Sequence, residues 1–298
     1  MSVQISIVHY AESNELQFND TLVLLVKSIR ALTKYRPYRL NIIDNQMHPK
    51  AREDLRRKLP KVEILRTSGK HHTFPVGANL AMDKMKGDYL VMFHTDLLVT
   101  WNWLTSLVQN LKWAEKTYGA PCATSPLLTF HPRRNASRVK SVKKYMDKHS
   151  IPYKMWGKFP VAISKPGEVT DNGWRLGGAY MASKRFFREV GHYDPLINRM
   201  NDKSYSIKAL MTRCRHTVSN HVWLHHVGGL HKSSGCYIKG PYGTRKLGAY
   251  AQFKLKWGHV IFKKVQNGSL WPELHRAQRA GNARQLVKKY MKQGAVKA

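Results

Sequence analysis

The chain is 298 residues long, with 42% apolar residues, and carries 51 Lys and Arg against 18 Asp and Glu, a formal net charge of +33. That length and apolar share exclude a disordered or small disulfide-stapled protein, and no stretch reaches the length of a membrane span. A chain so self-repelling usually meets a polyanion, whether nucleic acid, anionic lipid or an acidic polysaccharide.

The excess is uneven: from Lys203 onward Glu273 is the only carboxylate side chain, and between His131 and Lys165 only Asp147 stands against ten Lys and Arg. The three cysteines, Cys122, Cys214 and Cys236, are odd in number and lack metal-site spacing, which points to a reducing compartment. The first residues run directly into a strand-like segment without a basic leader, so a cytoplasmic protein is expected, in a host cell if phage-encoded.

In chain order, residues 3–8 read as a strand that leaves into His9-Tyr10-Ala11-Glu12. Residues 20–35 place Leu22, Leu25, Val26, Ile29 and Leu32 at helical spacing. A second strand over 39–43 ends in Asp44-Asn45, a short charged helix covers 51–59, and a third strand covers 62–65. A loop over 69–77 precedes a helix at 78–85. The apolar run 89–93 then stops abruptly at His94-Thr95-Asp96, with a second apolar triplet at 97–99. Alternating strands and helices predict a doubly wound, mostly parallel sheet, with chemistry at the carboxyl ends of its strands. A carboxylate beside a histidine there suits a divalent metal that carries a phosphorylated ligand.

Beyond this, a helix is expected over 102–117, a strand over 122–128, and a mobile insert or surface excursion over the basic stretch 131–165, with one helix-like piece at 141–148. Residues 174–182 resume the core, 183–190 form a capped helix, 191–195 a turn, 204–213 a helix and 221–226 a strand ending in His225-His226. The tail mixes aromatics and lysines over 250–257, then reads as two basic helices, 272–280 and 283–291, with Asn282 as a cap.

The order of these pieces resembles the GT-A-fold nucleotide-sugar glycosyltransferases, especially family 2, from Val3 to Gly229. That resemblance implies a Rossmann-like GT-A domain over 1–235 with a basic insert at 131–165, and a basic loop and helical extension over 236–298. It implies that His9, Tyr10 and Glu12 line the nucleotide base, that Asp44 contacts base or ribose, and that Asn79 and Thr95 belong to the donor site. The metal motif matches His94-Thr95-Asp96, with His94 where the family usually has an acid, and His225 or His226 matches the family's late metal or diphosphate histidine. The acidic pair that supplies the general base matches Asn201-Asp202, which leaves Asp202 as the base. After the Gly240-Pro241-Tyr242-Gly243 loop, which could close over donor or acceptor, Arg245 or Lys246 is expected near phosphate.

A ligand set of His94, Asp96 and His226 mixes imidazole with carboxylate and suits manganese better than magnesium, which prefers oxygen. The expected ligands are therefore that metal and a nucleotide sugar, a UDP-sugar above others; no protein partner is implied. The charge suggests DNA as the acceptor, through a hydroxymethylated or similar pyrimidine, as in bacteriophage DNA glycosyltransferases. The competing expectations are a lipid, cell-wall or polysaccharide acceptor at an anionic membrane, and a DNA-binding homologue without catalysis.

Overall fold

The computed structural model describes residues 2–11, 16–68, 73–130, 138–171, 178–197, 200–226 and 246–293. Four parallel strands, β1 (Val3–His9), β2 (Tyr38–Asp44), β3 (Glu63–Arg66) and β4 (Tyr89–Phe93), build one half of the central sheet in the order β3-β2-β1-β4. The other half contains β6 (Cys122–Phe130) and β11 (Arg215–His226), parallel to each other, and the antiparallel β10 (Ala179–Ser183), which joins β4 to β6. Two-residue strands β5 (Leu97–Leu98) and β9 (Val169–Thr170) both pair antiparallel with β11.

Successive residues of the inner strands feed two different cores, as a two-residue side-chain period requires. Val3, Ile5 and Ile7 of β1 and Tyr89, Val91 and Phe93 of β4 point into one core. That core is covered by α1 (Gln17–Leu32), α2 (Pro49–Lys58) and α4 (Trp103–Tyr118). Val8, Leu90 and Met92 point into the other, beneath α3 (Phe74–Asp83), α6 (Lys184–Val190) and α7 (Asn201–Leu210). Gly77 permits the close seat of α3, because a Cβ there would lie 2.5 Å from Val8 Cγ1 on a stiff branched side chain. Ser183 caps α6 by accepting the Phe186 N–H at 3.3 Å, as the capped-helix pattern predicts.

Residues 138–165 are an ordered excursion rather than a mobile one. Helix α5 (Arg138–Lys148) and the hairpin β7 (Tyr153–Trp156)–β8 (Phe159–Ala162) share a small core of Val142, Met146, Ile151 and Ala162 against Trp223 of β11. Residues 131–137 of the expected insert lie outside the described residues.

The C-terminal helices are integral to the fold. They are α8 (Lys246–Gln266), broken at Gly258 with φ +81°, α9 (Leu270–Arg279) and α10 (Ala283–Gln293). Their apolar faces, including Phe253, Trp257, Ile261, Trp271, Leu274 and Val287, close over Ile207 and Leu210 on the outer side of α7. Polar contacts fix the dock: Trp257 Nε1 donates to Ser204 Oγ at 2.9 Å, and Gln278 Nε2 donates to the carbonyls of Thr212 and Cys214 at 2.8 and 2.7 Å. Lys256 Nζ lies 2.6 Å from Asp194 Oδ2. Among the described residues, no helix is long and apolar enough to cross a membrane.

Trp257→Ala should therefore cost about 3–5 kcal/mol in chemical denaturation, as for a buried core aromatic. Trp113→Ala, at a side chain 50% exposed, should cost no more than about 0.5 kcal/mol. Acid provides a second check. Burial raises the Asp194 carboxyl, but hydrogen bonds from Lys256 and the Leu196 N–H outweigh it and hold the group below its ordinary value. A carboxyl depressed in the folded state stabilises fully above its unfolded pKa of about 3.9, and that contribution is lost as pH falls through the folded value. Asp194→Asn should accordingly be less stable than the parent at pH 7, and the two denaturation curves should converge at pH 2.

Candidate functional site

The strand registers bring the carboxyl ends of the parallel strands to one edge of the sheet. His9 lies level with Asp44, Asp44 with Arg66, and Ile7 with Phe93. The antiparallel β10 begins at this edge, with Ala179 opposite Phe93 and the Gly178 carbonyl accepting the His94 N–H at 2.9 Å.

The β5–β11 pairing sets the centre of the site. Leu97 pairs with His226 and Leu98 with His225, so Asp96, one residue before the strand, comes against the His226 ring. Asp96 Oδ2 and His226 Nε2 are 3.1 Å apart, with side chains 17% and 28% exposed. The Asp96 hydrogen bond raises the His226 imidazole above its usual value, against the opposing effect of burial. Neighbouring strand residues face opposite ways, so His225 turns inward. Its Nε2 accepts the Ala162 N–H at 3.3 Å, which leaves the proton on Nδ1 to donate to Thr129 Oγ1 at 2.8 Å. Both ring nitrogens of His225 are thus engaged in the core, while His226 faces Asp96.

His94, expected as a metal ligand, packs against α3. Its ring lies flat on Phe74, with centroids 4.3 Å apart and planes at 16°. Among the described residues no group of three or more His, Cys, Asp and Glu side chains is placed to hold a metal. Asp96 and His226 nonetheless form a hard–borderline donor pair of the kind that binds a divalent cation when a ligand supplies the remaining oxygens.

Three residues expected to touch the donor have partners within the fold. His9 is 1% exposed and its Nε2 is 2.8 Å from Asn19 Oδ1, whose amide also donates to Asp54 at 2.9 Å. Asp44 is fully buried; it accepts the Met47 N–H at 2.7 Å on Oδ1 and pairs with Arg52 through Oδ2. A carboxylate held this way fixes the loop after β2. Asn79 grips the backbone of Tyr193, donating to its carbonyl at 3.0 Å and accepting its N–H at 2.8 Å. Tyr10 is half-buried just past β1, and Thr95 is 7% exposed between His94 and Asp96. Glu12 and Arg245 lie outside the described residues.

An aromatic column, absent from the sequence reading, connects the His94 motif to α7. Phe74 stacks on His94, meets Tyr193 edge-on at 6.0 Å, and Tyr193 stacks on Tyr205 at 3.8 Å and 11°. The Tyr193 hydroxyl donates to that of Tyr180 at 3.0 Å, and burial pushes both phenols up. Tyr205 is on α7, whose first turn carries Asp202. Met200, at φ +60°, occupies the N-cap position, so Asp202 is not the helix cap; its carboxylate is 29% exposed, with Lys203 Nζ 3.4 Å away. The signal for the column was present in Phe74-Pro75 and in the Gly191-His192-Tyr193 turn, but nothing in the order of residues shows that their rings meet.

Comparison with known proteins follows the same outline. The sequence profile described as glycosyl transferase family 2 matches residues 7–162. No curated protein sequence matches the chain. Among solved structures, GalNAc-T7 determined with UDP, GalNAc and Mn2+ is similar at 17% identity and a TM-score of 0.55, over 86% of this chain and 48% of that one. TarS of S. aureus is similar at 11% identity and a TM-score of 0.48, over 76% of this chain and 37% of that one. TarS 1–349, in complex with UDP-GlcNAc, gives the same identity and score over 58% of its length. The chain thus spans less than two thirds of each of these proteins. The likeness to GalNAc-T7 gives the sheet and its helices as a GT-A fold. With the profile covering more than half of its residues, the chain belongs to glycosyl transferase family 2.

Proposed function

We propose that this protein is a glycosyltransferase that moves a hexose or pentose from a nucleotide sugar, a UDP-sugar above others, to the hydroxyl of a hydroxymethyl-type pyrimidine in DNA. The observation that carries the transferase reading is the Asp96–His226 pair, 3.1 Å apart at the carboxyl edge of a family 2 domain. GalNAc-T7, a structural neighbour of the same fold, was determined with UDP and Mn2+, which supports the donor class and the metal. Bound by Asp96 and His226, a divalent cation would neutralise charge on the departing diphosphate. His94 and Thr95 would border the same donor pocket.

Asp202 is the proposed base. The acceptor hydroxyl oxygen attacks the anomeric carbon as the bond to the diphosphate breaks. Asp202 takes the hydroxyl proton, and the nucleoside diphosphate leaves with the bonding electrons. Such a positioned base typically contributes ~10²–10⁴-fold.

The DNA acceptor rests on the +33 charge and on the reward that spread-out cations gain along a phosphate backbone. The base would leave its stack for the hydroxyl to reach Asp202. A membrane acceptor is less well supported: α9 and α10 direct Leu270, Trp271, Leu274 and Val287 into the core, leaving that apolar face unavailable to lipid.

Incubation with Mn2+, a panel of nucleotide sugars and duplexes containing hydroxymethylcytosine or hydroxymethyluracil should give a sugar adduct by mass spectrometry of the digested nucleosides. Asp202→Asn should lower its rate by ~10²–10⁴-fold. Donor hydrolysis without a DNA adduct would reject the acceptor and retain the transferase; neither product nor hydrolysis would reject both. The two histidines should separate in thermal shifts. His225→Ala should cost about 1–3 kcal/mol of stability by stranding buried partners. His226→Ala should instead abolish the Mn2+-dependent part of the stabilisation by UDP, since a ligand of the folded state raises stability by linkage.

A further inference from the structure

A cleft of about 1040 Å³ opens between the first turn of α7 and the corner where α8 meets α9. Met200 and Lys203, which flank Asn201 and Asp202, line its α7 side, so the cleft adjoins the proposed base. Arg276 and Arg279 line the α9 side. Both are exposed, and neither guanidinium makes a hydrogen bond or ion pair with a described residue. Three residues apart on one helix, they present their planar donors from the same face.

Between these walls is His275, with a side chain 12% exposed and both ring nitrogens without a hydrogen-bond partner among the described residues. Buried polar atoms are rarely left so. Among the described lining residues the one carboxylate, Asp171, already faces Arg215 at 3.6 Å and the His275 ring at 4.0 Å. The cleft is therefore cationic beyond what its own acid can balance. Trp271 and Val265, both nearly buried, give it an apolar floor.

We infer that this cleft is an anion subsite that holds a phosphodiester of the acceptor strand beside Asp202. The inference rests on the polyanionic acceptor proposed above and adds where that acceptor is gripped. Paired guanidinium forks suit a tetrahedral phosphate oxygen set, and Lys203 would connect the gripped phosphate to the base carboxylate it already approaches. The subsite thus makes the strand's register, as well as its affinity, depend on α9.

The test needs no donor and no turnover. A short fluorescein-labelled single-stranded oligodeoxynucleotide is titrated, by anisotropy over a range of salt, with the parent protein, with Arg276→Gln/Arg279→Gln, and with Arg56→Gln/Lys61→Gln as a charge-matched control at exposed positions of α2 and the turn after it. The α9 variant should bind about tenfold more weakly or worse and lose about 0.7 from the salt slope per arginine removed. The control should bind like the parent, and all three should melt together. Equal losses in the two variants, unchanged binding by the α9 variant, or no binding by the parent would each overturn the inference. So would an acidic polysaccharide that displaces the oligonucleotide at lower charge concentration than unlabelled DNA does. Because binding is read without nucleotide sugar, absence of glycosyl transfer would overturn the catalytic proposal alone, and loss of the subsite would leave the Asp96–His226 reading in place.

Discussion

Two residue pairs, Leu97 with His226 and Leu98 with His225, hold the loop after β4 to the last strand of the sheet. This register is the constraint on which the site depends. A slip of β11 by one residue would turn the side chains at its carboxyl end to the opposite face. Depending on its direction, it would turn His226 inward in place of His225 or bring His225 to the edge in place of His226. The buried bonds of His225 to Thr129 and Ala162 oppose such a slip, since a stranded donor or acceptor in the core costs about 1–3 kcal/mol. The inward histidine therefore fixes the position of the outward one, and a core interaction determines the geometry of the edge.

The scarcity of acids has a structural counterpart. From β10 onward most carboxylates fix an element in place: Glu189 binds Arg213 through both oxygens, Asp194 holds Lys256, and Glu273 takes Lys264 and the Tyr290 hydroxyl. Asp202 differs: it is partly exposed at a helix start, and among the described residues its ion pairing is with Lys203 alone. The surplus cations are correspondingly left on the surface of a packed body. Their apolar neighbours on α8–α10 form a core with α7, so the basic C-terminal segment is a rigid charged face and not a tail. A rigid face can present cations at fixed spacing, which a flexible tail cannot do without an ordering cost on binding.

Much of this was legible from the residues, and the exceptions have physical causes. The run 89–93 is apolar at every position because both its faces are covered, and β4 occupies those same residues. Helix α1 was visible from its 3.6-residue stripe, and Ser183 from its capping chemistry. Helix α8 was not, because Gly258 breaks its period in the middle and aromatics and lysines alternate around the break. The β7–β8 hairpin was hidden because two four-residue strands with half-exposed faces leave too few alternations to read. Asp44, Asn79 and His9 sit at the strand ends and helix starts where donor contacts are sought. Their side chains are claimed by Arg52, by the Tyr193 backbone and by Asn19, partners distant enough in sequence that only the fold reveals them.

The aromatic column would supply what the proposed pair of Asp96 and Asp202, on two different elements, requires. A base and a leaving group act together only if their separation is held, since misplacement by about 1 Å can cost about 10²-fold in rate. Asp96 is at a strand edge and Asp202 on a helix, elements that packing alone could let shift against each other. His94 on Phe74, Phe74 against Tyr193 and Tyr193 on Tyr205 connect the two through stacked rings, and the Asn79 clamp on Tyr193 prevents the middle of the column from sliding. Rings have few rotatable bonds, so little freedom is lost in fixing them. On this account His94, which stands in the family's acidic position, contributes a flat face that connects the motif to the helix carrying the proposed base.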